Sequence, residues 1–168
     1  CSSPLSWHGR HIECGACRGQ TIEHCSWVGP DGWGKNYDPD AVAMMVEQGT
    51  WVSPTIHLGW RRFRGNAPLE SLRQQNLAAI QAAGVRLIAG TDAGIPNVRH
   101  HELPLALVEM AHFAGLSPVA TLRAATSDCA LAFGLGAETG RLAPGFSADI
   151  LLFEGDPLGD LAVLAKPV

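Results

Sequence analysis

Cysteine is sparse in this chain, five in 168 residues, and four of them (Cys1, Cys14, Cys17 and Cys25) crowd the N-terminal end. So few, so unevenly placed, exclude a disulfide scaffold. Lysine is scarcer: Lys35 and Lys166 are the only two. With a net charge of −4 and no long basic run, nucleic acid is not an expected partner. No apolar run approaches the roughly 20 residues of a membrane span, so no membrane association is expected either. Cys1–Arg10 lacks both the charged start and the apolar middle of a signal peptide, which makes the cytoplasm the expected setting. What the chain does have is 46% apolar and 17% charged residues, the balance of a domain able to bury a core.

From Thr21 onward, strand-like and helix-like segments alternate. Thr21–Trp27 (TIEHCSW) opens as a short strand, with His24 closing it and a Gly-rich loop after it. Asp38 is placed to cap a helix that starts at Pro39, presents Val42, Met45 and Val46 on one face and stops at Gly49. Trp51–Ile56 reads as a second strand. An Arg-rich loop (Arg61, Arg62, Arg64) leads to a helix over Leu69–Ala83, ended by Gly84. Val85–Gly94 (VRLIAGTDAG) is a third strand that runs into a tight polar turn presenting Asp92. Helices are expected at Glu102–Ala114 and from Ser117–Pro118 to Phe133.

This order predicts an α/β fold with a parallel sheet. Three βα units fall short of the eight in a (β/α)₈ barrel of about 250 residues. The expectation is therefore a partial barrel or a small open sheet. Thr139–Phe153 has two apolar runs around Pro144–Gly145 and reads as a β-hairpin. Residues 1–20 look unlike the rest and are expected to be aberrant or poorly ordered. The division that follows is 1–20, then 21–136 as βα units, then 137–168 as a β-type tail.

An acid or a histidine at the carboxyl end of a buried strand is where α/β folds put their chemistry. Asp92 and His24 each stand at such a point. Alternatively, Asp92 is a turn or capping residue and His24 a structural histidine. His57 beyond the second strand, and His100 and His101 beyond the third, are candidate substrate contacts or solvated loop residues. Arg61, Arg62 and Arg64 offer paired hydrogen bonds to a carboxylate, though a solvated loop is the simpler expectation.

GTDAGIP (90–96), His101–Glu102–Leu103, AGLSPVATLRAAT (114–126) and TGRLAPGFSADILLF (139–153) resemble, in order and spacing, the C-terminal half of the amidohydrolase superfamily. IEHCSW and WVSPT are similar to the same pattern, in particular to imidazolonepropionase-like and prolidase-like members. The resemblance implies a (β/α)₈ barrel with one or two divalent metals, zinc foremost, at its C-terminal face, beside a small β-sandwich. It implies that His24 is the sixth-strand metal ligand, and that Asp92 is the eighth-strand metal ligand and general base. The implied reaction is hydrolysis of a C–N bond in a small molecule (an amide, cyclic amide or dipeptide) by metal-activated water. The family's first-strand His-x-His, bridging lysine and fifth-strand histidine have no counterparts at strand ends here. The isolated chain is thus expected to carry an incomplete site with little or no turnover.

Two rival readings remain. His8, His11, Cys14 and Cys17 fall at intervals of three, and Cys14-x-x-Cys17 by itself resembles half of a zinc knuckle, which makes an independent zinc-binding or thiol-redox module the first rival. A non-catalytic fragment with exposed sheet edges and a wide apolar face would self-associate, so a homo-oligomer is expected.

Overall fold

A computed structural model describes residues 21–168. The segment 1–20, with the His8/His11/Cys14/Cys17 group, lies outside the described residues. Three short strands, β1 (Thr21–Glu23), β2 (Trp51–Ser53) and β3 (Arg86–Leu87), form one parallel sheet in the order β1-β2-β3. Thr21 is in register with Trp51, and Trp51 with Arg86. A helical crossover joins each neighbouring pair: α1 (Pro39–Glu47), then α2 (Ala67–Ala82). This is the βα alternation that the sequence predicts, with strands shorter than expected. Pro54 ends β2 because it has no N–H to donate to a ladder.

Helix boundaries follow local chemistry. The Asp38 side chain accepts from the Asp40 and Ala41 amides, and Pro39 takes the first helical position. Gly49 turns the chain at φ 66°, a backbone conformation that only glycine adopts freely. Helix α3 (Leu103–Ala114) ends at Gly115 in the left-handed region, and the Ser117 hydroxyl caps α4 (Pro118–Ala125). The single helix expected from Pro118 to Phe133 is two, because α5 (Ser127–Ala132) starts after a break at Thr126. The break has a donor behind it. The Ala124 carbonyl accepts from the Ala89 amide at 2.9 Å, so it is drawn out of the helical ladder toward the end of β3. The Thr126 hydroxyl donates to the Leu122 carbonyl at the same place.

The core lies between the sheet and helices α1–α4. Val52, Ile80, Met110 and Phe113 are among its most buried members. A smaller cluster of Trp51, Ile88 and Ala132 packs separately from that core. Segment Leu58–Phe63, a 3-10 helix, folds onto α3, where the Trp60 ring meets Phe113 edge-on at 5.2 Å. In the tail, the turn at Pro144–Gly145 forms as expected, with Phe146 N–H donating to Ala143. The flanking strands do not form. Ile150, Leu151 and Leu152 are more than half exposed, and the β-type contact there is an isolated bridge between Phe153 and Pro167. Among the described residues, no second sheet covers these side chains, and a two-stranded hairpin alone is marginal in water. No helix among the described residues is long and apolar enough to cross a membrane.

Candidate functional site

Parallel strands deliver their carboxyl ends to one edge of the sheet. At that edge the chain leaves each strand through a non-glycine residue with positive φ: His24 (71°) after β1, Thr55 (49°) after β2 and Asp92 (57°) after β3. Such conformations are uncommon outside glycine, although His and Asp tolerate them better than most. A β-branched threonine there is an outlier, and outliers of this kind cluster at sites.

These turns bring the three side chains together. His24 Nδ1 lies 2.8 Å from Thr55 Oγ1. His24 Nε2 lies 3.9 Å from Asp92 Oδ2, with both side chains open to solvent (54% and 38%). The imidazole therefore reaches from one outer strand, across β2, to the other. The His24 backbone amide is also tied to Ser53 O at 2.8 Å, which fixes where the ring begins. Gly90 lets the third strand come close: a β-carbon there would sit 2.5 Å from Ser53 Oγ.

The fit of a divalent ion rests on the donors themselves. An imidazole nitrogen and a carboxylate oxygen are ordinary zinc ligands, and two bonds of about 2.0–2.2 Å sum to slightly over 4 Å. One ion thus reaches both atoms at the observed separation, and a tetrahedral angle would draw them about half an ångström closer. No group of three or more His, Cys, Asp or Glu able to hold a metal occurs among the described residues. The pair alone would give such an ion two donors. Cys25, next in the chain, is a half-buried free thiol whose pKa burial pushes up to about 12.

His57 lies near this edge, in the electrostatic field of Asp92. Its Nδ1 accepts from the Gly59 amide at 3.1 Å, which leaves the proton on Nε2. Gly59 has to be small, since a β-carbon there would meet the ring at 2.6 Å. Burial first and the Arg62 charge second hold the His57 pKa below its ordinary value, against the opposing pull of Asp92 and Glu102. His57 is accordingly a neutral imidazole with an N–H to offer. His100 and His101 form the exposed turn His100–Glu102 ahead of α3, without a hydrogen bond to the His24–Asp92 pair.

The arginine loop is not simply solvated. Arg61 and Arg64 donate through Nε, at 2.7 and 2.8 Å, to the two oxygens of Glu109, a carboxylate buried on α3. Arg62 stacks over Phe63 at 4.7 Å. Sequence reasoning missed both Thr55 and Glu109. The signal for Thr55 was a hydroxyl residue after a proline at a strand end between two candidate ligands. For Glu109 it was a lone acid on the apolar face of α3. Two hollows of about 300 and 430 Å³ lie elsewhere, one beside Val85 and Ala124, the other beside Tyr37 and Val42. Neither is lined by His24, Asp92 or His57.

Comparison with known proteins bears on this edge. A model of the amidohydrolase family matches residues 17–168. Ochratoxinase of Aspergillus niger is 33% identical over 105 residues, which cover 60% of this chain and 21% of that protein. Imidazolonepropionase of Chloroflexus aggregans is 35% identical over 94 residues, covering 53% and 22%. Among solved structures, a Xaa-Pro dipeptidase with bound methionine superposes with a TM-score of 0.69 at 24% identity, over 88% of this chain and 37% of that one. At that identity the likeness is one of fold. The chain spans about a fifth of the length of the relatives it matches in sequence.

Proposed function

The chain belongs to the amidohydrolase family, and from that premise we propose that it supplies part of the active face of a metal-dependent hydrolase acting on a C–N bond. The observation that carries the reading is the approach of His24 Nε2 to Asp92 Oδ2, 3.9 Å apart at the carboxyl edge of the sheet. In this reading His24 and Asp92 hold a divalent ion, zinc first. When bound, such an ion brings the pKa of water down to about 7.

The rest falls to side chains of this chain. Asp92 Oδ1, the carboxylate oxygen not used toward His24, accepts the proton of the attacking water, and Asp92 then returns it to the leaving nitrogen. His57, neutral and carrying its proton on Nε2, donates to a substrate oxygen. His100 and His101 contact the distal part of a small-molecule substrate. Residues 21–136 supply the last βα units of a barrel, and 137–168, which form no strands by themselves, would take their place in a flanking β-sandwich only beside neighbouring strands. Two donors do not close a site. The family resemblance assigns the remaining ligands to earlier barrel strands, so the 168-residue chain alone should turn over little or nothing.

The test is the zinc content of the purified chain, measured beside His24→Ala and Asp92→Ala. Bound zinc that is lost in both variants supports the reading. Zinc that survives both substitutions, or a parent chain that takes up no zinc even on titration, overturns it.

A further inference from the structure

The hydrogen bonds of Thr55 dictate which nitrogen of His24 can act as a ligand. The Thr55 hydroxyl lies 2.9 Å from the Pro54 carbonyl oxygen, to which it donates. A carbonyl oxygen only accepts, so the arrangement that makes both of the hydroxyl's contacts hydrogen bonds places its single proton there. The same oxygen lies 2.8 Å from His24 Nδ1. With its proton spent, Thr55 Oγ1 can only accept, and Nδ1 must therefore carry a hydrogen. The Nε2 lone pair is then free, and it faces Asp92 Oδ2. Two acceptors facing one another across 3.9 Å make a place for a cation.

We propose that Thr55 is a positioning residue, one that locks His24 in the Nδ1–H tautomer so that Nε2 is presented as the donor toward Asp92. The assignment rests on the reading of His24 as a metal ligand and adds to it a cause for the ring's orientation. Partners of this kind, on the far nitrogen of a ligating histidine, fix tautomer and rotation and raise metal affinity. Thr55 is buried at 8% exposure with φ 49°. That backbone disfavours a β-branched residue and would suit glycine better. A threonine held there against its own preference is explained by its hydroxyl.

The experiment uses the 168-residue chain with ¹⁵N-labelled histidine, metal-free and well above the usual imidazole pKa, followed by zinc titration against a competing chelator. Thr55→Val keeps the shape and the β-branch but removes the hydroxyl. Thr55→Ser restores the hydroxyl without the methyl. Thr55→Gly relaxes the backbone and also lacks the hydroxyl, so it serves if the valine variant fails to fold. The parent and Thr55→Ser should show protonated Nδ1 at His24. Thr55→Val and Thr55→Gly should show a tautomer mixture and bind zinc about 10- to 100-fold more weakly. If the parent binds zinc through His24 and both hydroxyl-free variants match it in tautomer and affinity, the role of Thr55 falls while the metal reading stands. If the parent binds no zinc at all, the metal reading falls and takes this assignment with it.

Discussion

Replacing Glu109 with alanine removes the acceptor for two guanidinium groups at once. The carboxylate is fully buried, and Arg61 and Arg64 each give it one short Nε–H bond, at 2.7 and 2.8 Å. A hydrogen bond to a charged group is worth about 1.5–3 kcal/mol net, which sets a gross value of about 3–6 kcal/mol. The arginine side chains are 50% and 40% exposed, so in the variant water takes over part of their solvation, and the lower half of that range applies. We predict a loss of about 3–4.5 kcal/mol for Glu109→Ala, which in a chain of this length is a fall in Tm of about 6–18 °C. Glu109→Gln should lose less, because the amide oxygen still accepts from one arginine while its NH₂ faces the other. Urea unfolding of Glu109→Gln, Arg64→Gln and the double variant isolates the pair. Its coupling should exceed about 1 kcal/mol. A Glu109→Ala loss under about 0.5 kcal/mol with no coupling would sink the reasoning, since the clamp would then be a solvated surface contact.

Two further outcomes follow from local geometry. Gly90→Ala places a β-carbon 2.5 Å from the buried Ser53 Oγ, and we expect about 1–3 kcal/mol of destabilisation; adding Ser53→Ala should return most of it, and a double variant as unstable as the single one would exclude this clash as the cause. The lowered pKa of His57 makes stability depend on pH with a definite sign. As pH falls below the ordinary value of 6.5, the unfolded chain takes up this proton before the folded one. The contribution present above that value is thus lost as pH falls through the lower, folded value. Removing the Arg62 charge (Arg62→Gln) should narrow the window, and a thermal-melt series with an unchanged pH slope in Arg62→Gln and in His57→Asn would contradict the assignment.

The outline of the fold was legible where one residue type has one strong local preference. Asp38–Pro39, Gly49, Gly115 and Ser117–Pro118 each mark a helix end at or beside the position observed. Reasoning from local signals failed where a distant group competes. Nothing around Thr126 breaks a helix by itself. The Ala89 amide does so from more than thirty residues away, by claiming the Ala124 carbonyl. The tail failed differently: its turn chemistry is local and forms, but a ladder needs neighbours, and among the described residues none stands beside Ile150–Leu152. At the site, His24 and Asp92 could be named because acids and histidines at strand ends are conspicuous. Thr55 was not, because a hydroxyl matters only through what it touches. The arginines at 61 and 64 invited a guess about substrate, and their partner, Glu109, was hidden among the apolar residues of α3.

The left-handed turns at the ends of the three strands also bear on how this sequence would fare under selection. Each such residue costs on the order of 1–3 kcal/mol relative to a relaxed backbone. Replacement by glycine is therefore one of the more accessible routes to a sturdier protein. Screening for heat resistance alone would reward changes at His24, Thr55 and Asp92, and would remove the proposed ligand pair and its positioning residue in the process.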